Sequence, residues 1–167
     1  VWSYGQAANA GWLESLDQHF DNPNLFDKNW YDLNDIFSSA KSFPIWNDGE
    51  SYVMSITAEA QTMFANQNML DAVGAGIPTT FDELLSTGKK LKSGDVAGVA
   101  MRSKADGSAG TWPCGGFVFS NGGVVIQDGK CMLDSPEAIE AVQYYGSILN
   151  EAGPLGVGNY HWYECLN

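Results

Sequence analysis

Pro78-Thr79-Thr80-Phe81-Asp82-Glu83-Leu84-Leu85 is the stretch whose reading decides the fold. Thr80 followed three residues later by Glu83 is a capping box, in which a hydroxyl and a carboxylate satisfy the open N–H groups of a helix start. Pro78 lies just upstream, and Phe81, Leu84 and Leu85 form the apolar stripe of the helix. Lys89-Lys90-Leu91-Lys92 then falls in the last turn, where cations complement the helix dipole. Working outward, Ser135 before Pro136 marks a second helix start of equal quality. That helix is expected to carry Ile139, Val142, Tyr145 and Leu149 on one face and to stop at Gly153-Pro154. Between the two helices, residues 96–101 read as a strand and residues 107–123 as a glycine-rich connection. Helix and strand alternate, so the fold class is α/β.

Upstream the pattern is weaker. Trp12, Leu13 and Leu16 have helical spacing before Asn22-Pro23-Asn24 breaks the chain, and residues 31–37 carry a faint helical stripe. Asn47-Asp48-Gly49 is a turn signal, with a strand expected at Tyr52-Val53-Met54 and a second extended run over residues 60–64, ending at Asn66.

Composition narrows the partners. The chain has 167 residues, a net charge of −12 and only 8 Lys and Arg. Neutralising phosphates needs clustered basic side chains, and the Lys89 cluster is already explained by its helix end, so nucleic acid is not an expected partner and an anionic membrane is a poor candidate. A neutral or cationic ligand is expected instead. No apolar run approaches the ~18 residues of a membrane span. Val1-Trp2-Ser3-Tyr4 has neither the charged nor the apolar region of a signal peptide, which a mature secreted chain would lack as well. Cys114, Cys131 and Cys165 form no CxxC and no zinc spacing, and fit either one disulfide with a free thiol or three reduced thiols. Gly115-Gly116 and Gly122-Gly123 make no GxGxxG, and no Walker lysine follows them. No metal and no cofactor are expected.

Aromatic residues make up 13% of the chain and include 6 Trp. Trp46, Trp112 and the Tyr160-His161-Trp162-Tyr163 run sit where a core helix would not need them. Sugar rings present C–H faces that stack on indole and phenol, while their hydroxyls need acceptors and donors, so Trp beside acidic and amide residues is the mix of a carbohydrate cleft. Any single Trp can equally fill a core, and a purely structural domain with Trp112 packed inside is one competing reading. A carbohydrate-active enzyme using a carboxylate pair such as Glu50 and Glu59 is another. His19 and His161 have no Ser or Cys nucleophile in a recognisable elbow, so no catalytic residue is expected.

Taken in order, the motifs resemble those of the extracellular solute-binding proteins of bacterial sugar ABC importers, the maltodextrin- and polyol-binding class. Gly11-Trp12-Leu13-Glu14-Ser15-Leu16 is similar to the family's G-x-L-x-x-L. Asp48-Gly49-Glu50-Ser51-Tyr52-Val53-Met54-Ser55 resembles D-G-K-x-Y-x-x-P, with Ser55 in place of Pro. Residues 57–66 resemble the hinge-crossing strand, with Ala65 and Gln67 where Tyr and Lys are usual. Ala72-Val73-Gly74 with the opening stretch matches A-G and P-x-T-W-D-E-L, the most specific pair. Asn121-Gly122-Gly123 and Leu133-Asp134-Ser135-Pro136-Glu137-Ala138 match x-G-G and L-(N/D)-S-P-E-A in the right order.

The resemblance implies a periplasmic-binding-protein-like two-lobe fold of type II, with only part of both lobes present. Residues 1–57 would be a remnant of the amino-terminal lobe, 58–66 the hinge-crossing strand and 67–167 the first half of the second lobe. The implied function is capture of a sugar or polyol between lobes and delivery to the permease subunits of an ABC importer, without catalysis. It further implies a monomer in the periplasm, or lipid-anchored outside the cell. Glu59 on the hinge strand is the first expected ligand contact and Trp112 the expected stacking residue of lobe two, followed by Trp46, Tyr160 and Trp162.

Overall fold

Four of the eight described α-helices start at a residue whose side chain caps them. In the computed structural model, which describes residues 3–166, the first six helices are α1 (Tyr4–Asn9), α2 (Asp17–Phe20), α3 (Lys28–Tyr31), α4 (Ser38–Ser42), α5 (Gln67–Ala72) and α6 (Phe81–Leu91). They are followed by α7 (Thr111–Ser120), a hairpin of β1 (Ile126–Gln127) and β2 (Lys130–Cys131), and α8 (Pro136–Glu151). Val1, Trp2 and Asn167 lie outside the described residues, so the reading of the chain's first two positions and of its last is not addressed. The chain divides into two compact units, Val1–Ala60 and Gln61–Asn167.

The first unit is made of turns and short helices. Gly11, at φ +68°, ends α1: its N–H bonds the Ala8 carbonyl and the Trp12 N–H bonds that of Ala7, a Schellman stop. Helix therefore does not run through Trp12, Leu13 and Leu16 as their spacing suggests; it resumes only at Asp17. Asp27 caps α3, its Oδ1 accepting from Asn29 N–H at 2.9 Å and Trp30 N–H at 3.1 Å. Left-handed Asp32 then breaks the faint stripe over residues 31–37 into α3 and a 3-10 turn at Leu33–Asp35. The turn at Asn47-Asp48-Gly49 is formed, with Gly49 at φ +89° and Trp46 N–H bonded to the Glu50 carbonyl.

In the second unit Thr80 Oγ1 accepts the Glu83 N–H at 3.1 Å, while the Glu83 carboxylate accepts the N–H and hydroxyl of Thr79 at 2.7 and 2.8 Å. The capping box thus closes one residue earlier than the usual pattern. Ser135 Oγ likewise accepts the Ala138 N–H at 3.3 Å, with Pro136 in the first turn. α8 packs on α6 and α7. Its inward stripe is Ala138, Ala141 and Ile148, with Ala152 just beyond its end, not the expected neighbour stripe: Ile139 and Val142 are 46% and 45% exposed. Close approach explains the choice, because a Cβ on Gly88 of α6 would stand 2.7 Å from the Ala152 Cβ. Small residues let the backbones meet there, and aromatic rings fill the space alongside. Phe81 stacks on Phe117 at 4.5 Å, and Phe117 meets Tyr145 edge-on at 5.5 Å.

The expected strands at 52–54, 60–64 and 96–101 do not form among the described residues. A strand needs a ladder partner, and over 96–101 the groups are spent otherwise. Gly98 and Val99 donate to the Ala152 carbonyl, while just after the 52–54 run the Ser55 carbonyl accepts from the Tyr31 hydroxyl at 2.7 Å. The glycine-rich connection over 107–123 is also different, since most of it is α7.

Candidate functional site

The loop from Ser103 to Gly110 is the frame of the candidate surface in the second unit. Asp106 organises it: its Oδ1 accepts from Ala109 N–H at 2.7 Å and from the N–H and hydroxyl of Ser108, each at 3.0 Å. The N–H groups of Ala109 and Ser108 hold the Asp106 carboxyl down at about 2, helped by the Ser108 hydroxyl and by nearby His161. The Gly110 N–H turns back to the Lys104 carbonyl at 3.1 Å, and α7 starts from there. Pro113, the third residue of α7, sits in the first turn, where helix N–H groups have no partner within the helix.

Trp112 is half-buried in that first turn, its N–H bonded to the Ser108 carbonyl at 3.2 Å. Its carbonyl accepts from the Gln61 side-chain amide, which lies in the notch left by the absent side chain of Gly116. A second segment is tied to the same loop. Ser103 and Lys104 N–H groups both donate to the Tyr160 carbonyl at 3.0 Å, and the Ser103 hydroxyl donates to Val157. One residue on, His161 Nε2 lies 4.0 Å from Asp106 Oδ2. Trp162 is 41% exposed and stacks on Tyr163 with ring centres 3.7 Å apart. Trp112, Tyr160 and Trp162 are therefore anchored to one loop.

Asp106 is the residue the sequence reading passed over. Asp-x-Ser ahead of an aromatic helix is an Asx-turn pattern and was the available signal. The Glu164 carboxylate accepts the His161 N–H at 2.9 Å, and its own N–H and that of His161 hold it below the usual carboxylate range. Burial pushes the Cys114 and Cys165 thiols up, and the three cysteines are unpaired with one another. Tyr145 donates to the Arg102 carbonyl at 2.5 Å, and burial first, then the two thiols, raises its hydroxyl to about 12.

The remaining candidates are in the first unit. Trp46 is half-buried against Tyr4 at 5.4 Å, over Gly5, and its indole N–H donates to Asn9 at 3.0 Å. Glu59 is exposed in a stretch without regular structure. Glu50 accepts a hydrogen bond from the Ser15 hydroxyl. Shallow hollows lie along α6, beside Asp82, Ser86 and Lys89, and next to Pro78, Phe81 and Met63; Trp112, Tyr160 and Trp162 line neither. Among the described residues, no group of three or more His, Cys, Asp or Glu could hold a metal ion. No described helix is long and apolar enough to cross a membrane.

The profile of a family described as bacterial extracellular solute-binding protein matches residues 1–165. The chain belongs to that family. Its fold is also similar to solved members of the solute-binding class. One is the ABC transporter solute-binding protein of Agrobacterium radiobacter in complex with ribitol, 23% identical with a TM-score of 0.66 over 94% of this chain. Another is that of Agrobacterium vitis with bound D-mannitol, 19% identical with a TM-score of 0.60 over 99% of this chain. The solute-binding chain described here spans 39% of the length of each. The fold is thus periplasmic-binding-protein-like, and this chain carries part of it.

Proposed function

We propose that this chain is part of an extracytoplasmic binding protein that captures a sugar or polyol between two lobes and presents it to the permease of an ABC importer. The family match over residues 1–165 is the observation that most supports this reading. The ribitol and D-mannitol held by proteins of the same fold favour the polyol end of the ligand range.

In this reading, residues 1–57 belong to the first lobe, 58–66 cross the hinge and 67–167 open the second lobe. Trp112 offers an indole face to the ligand's C–H groups, with Tyr160 and Trp162 following it, while Glu59 of the hinge segment and Trp46 are the further expected contacts. Closure follows because the ligand touches both lobes and so binds the closed form better. No bond is made or broken. The protein acts as a monomer in the periplasm or anchored outside the membrane, and closure creates the surface that the permease recognises.

The test is a thermal-shift series on the full-length protein with ribitol, D-mannitol, monosaccharides and disaccharides, followed by mass analysis of the ligand. A ligand at a hundredfold its dissociation constant adds about 2.7 kcal/mol to the folded state. One polyol or sugar that shifts the transition and is recovered unchanged supports the reading, and Trp112→Ala should abolish most of that shift. Absence of any shift across the series would overturn the ligand class. Conversion of the ligand would replace the binding protein with an enzyme.

A further inference from the structure

We infer that Asp106 is a positioning residue for this surface, acting through His161 to hold segment 160–162 at a fixed setting relative to the helix that carries Trp112. The inference rests on the proposal that the surface binds a sugar or polyol.

The division of labour between the two oxygens of Asp106 carries it. Oδ1 takes all three donors of Ser108 and Ala109, which fixes the carboxylate to the loop from which α7 springs. Ser108 in turn accepts the Trp112 N–H on its carbonyl, so a single residue connects Asp106 to the Trp112 backbone. Oδ2 faces His161 Nε2 at 4.0 Å, with the two side chains 28% and 34% exposed, so solvent screens the pair only in part. The two backbone bonds from Ser103 and Lys104 to the Tyr160 carbonyl, with the Ser103 hydroxyl on the Val157 carbonyl, tie the segment at and before Tyr160. The Asp106–His161 contact adds a tie on the far side of Tyr160.

The charges facing His161 are Asp106 on the loop and Glu164 on its own segment, with Lys104 acting on Glu164 from the loop. Asp106 stays ionised far below neutrality because its carboxyl is held at about 2.

Asp106→Asn in the full-length protein separates the two roles, because Asn keeps the Oδ1 acceptor for the loop but removes the charge facing His161. Hydrogen exchange should become faster at the amides of residues 160–166 while those of α8 stay as in the wild type. Calorimetry with ribitol and with D-mannitol should show Asp106→Asn binding more weakly than the wild type, on the order of threefold for a partly exposed pair. His161→Gln should weaken binding by a similar factor, and Glu164→Gln should retain most of the affinity. Unchanged exchange over 160–166 in Asp106→Asn would overturn the inference. So would a loss of affinity in Asp106→Asn that His161→Gln does not share, which would place Asp106 on the ligand itself. If the wild type binds neither polyol, the proposed ligand class fails while the exchange measurement still decides the role of Asp106.

Discussion

The two units are built from the same kinds of residue in opposite ways. In residues 3–60, helices of four to six residues are held by single side chains: Asp27 under α3, Asn9 on Trp46, and Tyr4 on the Pro44 carbonyl. In residues 61–166, three helices of ten to sixteen residues follow the short α5; α6 and α8 are capped by side chains at their starts, and glycines take the close approaches, Gly88 at Ala152 and Gly123 at Val118. Isolated helices of four to six residues are far below the length that sustains itself in water. The first unit therefore depends on many separate polar ties, whereas the second depends on a core that must close as one piece. Ala138, Ala141 and Ile148 are fully buried in the second, while Trp12, Trp30 and Phe37 are largely exposed in the first.

That contrast can be broken by substitution, and the largest effect belongs to the core of the second unit. Ile148→Ala should cost about 2–5 kcal/mol, read as a fall in the urea midpoint at constant slope. Gly98→Ala comes next. A Cβ there would run into the Gly88 carbonyl, which is backbone and cannot turn aside, so a loss near the top of the roughly 1–3 kcal/mol range for overpacking is expected. Ser135→Ala, which removes the cap of α8, should cost about 1 kcal/mol in the same measurement. Trp12→Ser should change stability by no more than about 0.5 kcal/mol, because the ring is 72% exposed. A loss of several kcal/mol at Trp12 would mean that the first unit has a cooperative core after all, and the comparison would fail.

Legibility in the sequence follows the same division. Caps are local, so Thr80 with Glu83 and Ser135 with Pro136 marked two helices correctly from a few residues each. Strands are not local. Tyr52-Val53-Met54 and residues 96–101 have strand-forming composition, yet no partner strand pairs with them among the described residues, and in the second run Gly98 and Val99 donate to the Ala152 carbonyl instead. α7 was hidden for the converse reason. Gly115 and Gly116 lower helix propensity, but Gly116 is where the Gln61 amide must fit, so packing overrides propensity. On α8 the heptad-like choice of Ile139 and Val142 looked inward because they are larger, whereas close helix approach selects alanine. Of the candidate site, the aromatic residues were visible as a surplus over what a core needs. Asp106 was not, since its importance lies in an alignment with His161, fifty-five positions further along the chain.

The Gln61 amide works as a fastener. Residues 53–66 have no regular structure. Within that run the Gln61 side chain is seated in the Gly116 notch and hydrogen-bonded to the Trp112 carbonyl. The first turn of α7 is thus stitched to a stretch of otherwise irregular chain far back in the sequence.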